Sequence, residues 1–170
     1  MKKSVTTALI LASGLAAALQ ATPARSQTTL AMAANSNPPS KAVELERKAE
    51  LLYGEPGRYH EAARLLLRAA ELREDGDPMQ VHDLSMAGRL FYYTGRKAEA
   101  LRTIESAADA ALAIGDVLNA AHLYVDASHL ARENGRPDDA VRLMGSARLL
   151  TKSPLLAESS RREVTARLAT

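Results

Sequence analysis

One frame of residues occurs three times in this chain: GRYHEAARLLLRAAEL from Gly57, GRKAEALRTIESAADA from Gly95 and GRPDDAVRLMGSARLL from Gly135. The glycines are 38 and 40 residues apart, and each is followed by an alanine five positions on (Ala62, Ala100, Ala140) and another twelve on (Ala69, Ala107, Ala147). Self-similarity at such a period marks a stack of supersecondary units, each too small to bury its apolar face alone. A glycine just past a helix supplies the left-handed conformation that ends it, and small alanines let the next helix lie close to its neighbour. Each unit is therefore expected to be a helical hairpin.

The rest of the composition fits this reading. Aromatic residues make up 4% of the chain and there is no tryptophan, while alanine and leucine dominate the second half, which favours packed helices over a sheet. With 170 residues and 46% hydrophobic content the chain is long enough for one domain with a real core. The absence of cysteine excludes disulfides, thiolate metal sites and thiol catalysis. Asp77-Pro78, Gly115-Asp116 and Ser153-Pro154 pair a helix stop or a capping oxygen with a helix start. Seven helices are predicted, at about 41–54, 58–74, 78–94, 96–114, 117–134, 137–150 and 154–168. The last carries Glu158, Arg161, Arg162, Glu163 and Arg167 and is polar enough to cap an open end. The expected fold is all-α, an α-solenoid of about three hairpins plus a C-terminal capping helix, occupying residues 41–170.

Residues 1–33 read as an address. A basic MKK start, the mostly apolar run VTTALILASGLAAAL (5–19) and small-residue cleavage sites at Thr22-Pro23-Ala24 and Ala31-Met32-Ala33 have the layout of a bacterial-type secretory signal peptide. The expected mature N-terminus lies near Arg25 or Ala34, with residues 34–40 as a flexible linker and a periplasmic or secreted product. The run is shorter than the ~20 apolar residues of a spanning helix, so no membrane span is expected after cleavage. Removing residues 1–33 takes away Lys2, Lys3 and Arg25 and leaves 19 basic against 20 acidic residues. A nucleic-acid partner, which requires clustered excess Lys and Arg, is not expected.

The repeat resembles the tetratricopeptide repeat, in its longer variant. That family places apolar or small residues at positions 4, 7, 8 and 11 of the first helix, glycine at 15 and alanine at 20 and 27. Leu84, Ala87, Gly88, Phe91, Gly95, Ala100 and Ala107 fill this pattern in the second unit. Tyr124, Ala127, Ser128, Ala131, Gly135, Ala140 and Ala147 do so in the third, and Ala49, Tyr53, Gly57, Tyr59, Ala62 and Ala69 in the first. The likeness spans roughly residues 43–150. Glu46 and Glu50 depart from it, so the first helix is expected to sit loosely.

The resemblance implies a concave groove formed by the first helix of each hairpin, on the side opposite the packing positions. Carried over position by position, that face comprises Glu44, Arg47, Lys48 and Leu51; His82, Ser85, Met86, Arg89, Tyr92 and Tyr93; and His122, Val125, Asp126, His129, Arg132 and Glu133. The partner-binding candidates are Arg47, Lys48, His82, Arg89, Tyr92, Tyr93, His122, Asp126, His129 and Arg132. The basic residues would attract carboxylates while the tyrosines supply contact area. The two-carboxylate clamp of chaperone-binding relatives is not expected, since Met86 and Asp126 stand where it would need asparagine and arginine. The function implied is an adaptor or assembly factor that grips a protein or peptide in the cell envelope.

Catalytic patterns are sparse. HEAAR (60–64) has Arg64 where a zinc protease needs its second histidine. No GxSxG, GxxxxGK or glycine-rich nucleotide loop is present. No enzymatic activity and no cofactor are expected. The alternative is a metal-dependent enzyme or metal-binding protein built on His122, Asp126 and His129, which share one stripe of one helix and are ligand types that suit zinc.

Overall fold

The structure is a computed structural model that describes residues 40–55 and 57–169. The expected signal segment 1–33 and the linker up to residue 39 lie outside the described residues. Among the described residues there are seven helices and no strand: α1 Lys41–Leu52, α2 Tyr59–Glu71, α3 Pro78–Tyr93, α4 Lys97–Ala113, α5 Val117–Glu133, α6 Pro137–Leu150 and α7 Glu158–Arg167. Helices α1 to α6 pack in succession, each from α2 onward on the one before it, and α7 returns to lie on α5. This is an all-α, solenoid-like succession of helical hairpins.

The punctuation is more regular than the repeat frame alone discloses. Gly57, Gly76, Gly95, Gly115 and Gly135, all at positive φ, follow one another at 19 or 20 residues. At Gly95 the amide donates to Tyr92 O and the next amide, of Arg96, to Phe91 O, both at 2.9 Å. This double closure satisfies carbonyls that the helix end would leave bare. It recurs at Gly115 and Gly135.

Helix starts fall into two kinds. Helices α1, α3 and α5 begin on a side-chain oxygen: Ser40 accepts from the Val43 amide, Asp77 from that of Met79 at 2.9 Å and Asp116 from that of Asn119 at 3.1 Å. Even-numbered helices follow Gly-Arg and have no capping oxygen. There the arginine pairs with a carboxylate three residues on: Arg58 with Glu61 at 2.7 Å, Arg96 with Glu99 at 2.8 Å and Arg136 with Asp139 at 2.6 Å. The carboxylate sits in the first turn, where the helix dipole favours it. GRxx[DE]A is the sequence signal of this device.

The alanine frame marks where helices touch. Ala62, Ala69, Ala100, Ala107 and Ala147 are fully buried, and Ala140 nearly so. Gly88 allows the α3–α4 crossing, and Ser128, at the matching place in α5, is buried with its hydroxyl donating to Val125 O at 2.8 Å. Tyr124 donates to Asp109 and ties α5 to α4; burial, then Asp109, pushes its phenol up to about 12.

Three expectations are corrected. The first helix does not sit loosely, because Ala42 and Ala49 are buried and Glu46 is held at 2.6 Å by Arg73. Helix α2 stops at Glu71, three residues early, so that Arg73 can turn inward to Glu46, to the fully buried Asp83 at 3.2 Å and to Asp77 at 3.4 Å. The last helix begins at Glu158, not at Pro154, because Arg161 donates to the carbonyls of Thr151, Ser153 and Leu156 and holds 151–157 as a turn.

Candidate partner-binding groove

Helical geometry separates the two sides of α3. At about 100° per residue, Arg89, Tyr92 and Tyr93 share one side while Phe91 projects from the other. Phe91 and Ala87 are accordingly buried, whereas Arg89, Tyr92 and Tyr93 are exposed. The exposed side of α3 opens onto α5, and between the two helices lies a cavity of about 400 Å³. Arg89, Tyr92 and Tyr93 line it from α3, Asp126, His129 and Glu133 from α5, with Gly88, Ile104 and Leu130 also in its lining. A second cavity of about 280 Å³ lies toward the N-terminal half of α3, with His82, Ser85 and Met86 in its wall. Arg89 lines both, which makes it the joint between two depressions along one α3–α5 face.

Charges in the groove are unequally committed. Glu133 is paired with Lys97 at 3.0 Å, and Asp126 accepts from Arg167 of α7. Arg89 has no ion pair among the described residues. The Arg132 guanidinium lies against His129 Nδ1, and burial, then Arg132, holds the imidazole below its ordinary pKa. His129 beside the rings of Tyr92 and Tyr93, tilted 59° to each other with centroids 6.0 Å apart, gives this part of the groove an aromatic character.

Other predicted residues are placed differently. Arg47 and Lys48 on α1 are exposed and line neither of these cavities. Arg132 faces another depression, lined from α6 and the chain end by Val141, Met144 and Leu168. His122 is covered by α7: Arg167 donates to its Nδ1 at 2.7 Å, and its Nε2 stands 3.3 Å from Glu163. An Nδ1 that accepts from arginine puts the proton of the neutral ring on Nε2, facing the glutamate. Val125, assigned to the open face, is fully buried. Sequence reasoning missed Gly88, Ile104 and Leu130 as groove residues; the repeat frame gave Gly88 to packing, and a residue can do both.

His122, Asp126 and His129 do not converge. Two are bound to Arg167 and the third is turned to Arg132, and among the described residues no group of three His, Cys, Asp or Glu side chains is placed to hold a metal ion.

Fold and groove together define a protein of successive helical hairpins with an open, lined face along α3 and α5. No family model, curated protein or solved structure matches the chain, so the likeness to tetratricopeptide repeats rests on the glycine and alanine frame itself. Among the described residues no helix is long and apolar enough to cross a membrane.

Proposed function

We propose that this chain is an exported, tetratricopeptide-like binding module, not an enzyme, that holds a protein or peptide of the bacterial cell envelope in the α3–α5 groove. The observation that carries this reading is the joint at Arg89: an unpaired guanidinium between two cavities, next to Tyr92 and Tyr93. Arginine and tyrosine are the side chains that most often anchor interfaces. A carboxylate of the bound segment would meet Arg89, and an apolar or aromatic side chain the tyrosine pair. His82 and His129 would flank it. The export step rests on the N-terminal sequence pattern, and the envelope setting follows from it.

The test is capture of a partner from envelope extracts by the processed chain, followed by affinity measurement with the identified protein. Arg89→Ala with Tyr92→Ala should weaken binding by at least ~2 kcal/mol and leave the helical signal intact. Arg162→Ala, on an exposed site of α7, serves as the control. Undiminished binding by the groove variant would refute the assignment.

A further inference from the structure

The even-numbered helices each carry an arginine seven residues after the opening glycine: Arg64, Arg102 and Arg142. In α6, Arg142 reaches back to Glu105 of α4 at 2.8 Å and also takes Asp139 at 3.1 Å. Glu105 stands ten residues after Gly95, and the residue ten after Gly57 is Leu67. Arg102 thus occupies the register of Arg142 but has a leucine where its counterpart has a carboxylate. Neither Arg64 nor Arg102 has an ion pair among the described residues. Yet Arg58 and Arg68, the other arginines bordering or within α2, each hold a glutamate.

The unpaired arginines border a cleft of about 470 Å³ between α2 and α4. Its lining includes Leu67 and Phe91, with Arg96 and Glu99 spent on each other at 2.8 Å. Three guanidiniums against one carboxylate leave an excess of two positive charges. His60 also lines the cleft, its ring 5.8 Å from that of Phe91. Its Nδ1 is buried without a hydrogen-bond partner among the described residues. Because Phe91 projects from the side of α3 away from Arg89, this cleft is separate from the α3–α5 groove.

We propose that the α2–α4 cleft binds a phosphate monoester with an apolar or aromatic body. The dianion matches the excess charge, guanidinium forks suit phosphate oxygens, and the volume with its Leu67 and Phe91 surface exceeds what a bare ion fills.

Titration calorimetry and side-chain arginine NMR on the chain from residue 34 onward, with phenyl phosphate, inorganic phosphate and benzoate as probes, test this. Phenyl phosphate should bind saturably, at least tenfold more tightly than either other probe, and shift the Arg64 and Arg102 Nε signals. Arg64→Ala with Arg102→Ala should weaken it at least tenfold with unchanged circular dichroism. Leu67→Glu should supply Arg102 with the partner that Arg142 already has, and abolish binding while the fold persists. Equal binding of inorganic phosphate would overturn the monoester, equal binding of benzoate the phosphate, and no saturable binding or an indifferent double variant the site itself.

Discussion

A Cβ on Gly88 would stand 2.5 Å from Cδ1 and 2.6 Å from Cγ1 of Ile104. The glycine of α3 is therefore the space into which the α4 isoleucine fits, and Ile104 is itself buried, with little room to turn aside. Gly88→Ala gains about 1 kcal/mol of helix propensity but overpacks the crossing at about 1–3 kcal/mol. The expected outcome is a net loss of up to about 2 kcal/mol in a denaturant melt. In an Ile104→Ala background the same substitution should instead stabilise. A double-mutant cycle without that change of sign would contradict the contact.

Ala100 is fully buried where α4 meets its neighbours. Ala100→Leu should cost about 1–3 kcal/mol by overpacking, read as a lowered thermal midpoint. Ala113, exposed at the end of the same helix, is the matched control and should tolerate leucine. Ala110 cannot serve, since it packs against the core.

The Asp83 carboxyl is pushed up to about 7 by burial and by Glu46, against the opposing pull of Arg73. Tyr53 feels the same acids and is raised by its own burial and by Glu50, Asp83 and Glu46. In the unfolded chain Asp83 should titrate near ~3.9, so its folded pKa is the higher one. The folded state then binds more protons than the unfolded state between about pH 4 and 7. The stability Asp83 contributes is complete below that window and lost as pH rises through it. Melts across pH 4–8 should show a decline in the native chain that Asp83→Asn lacks; parallel profiles would refute the assignment.

Helix α7 is held to α5 by Arg167 at one end and by Val164, which is fully buried. The exposed ion pair is worth at most about 1 kcal/mol, whereas Val164→Ala should cost about 1–2 kcal/mol. Hydrogen exchange should show Arg167→Ala raising rates in α7 alone, and Val164→Ala raising them more strongly. Equal rates in both variants would place the anchor elsewhere.

The sequence by itself determined the helices, their hairpin pairing and their close crossings. A left-handed glycine, an Asp cap and an alanine at a fixed offset are requirements of the backbone and its nearest neighbour, so they are written locally: the glycines return every 19 or 20 residues, the caps and alanines once per hairpin. The exposed side of α3 was legible too, because helical periodicity sorts Arg89 and Tyr92 from Phe91 without reference to any other element. Only the tertiary structure decided which of those faces stays open. His122 and Asp126 have the same periodic credentials as Arg89, but α7 folds back from more than 40 residues away and covers them with Arg167. No helical period marks Asp83 and Glu46 as a pair, yet Arg73, carried inward by the early stop of α2, gathers both. Which charge meets which depends on the angle at which distant helices cross, and a one-dimensional period does not contain that angle.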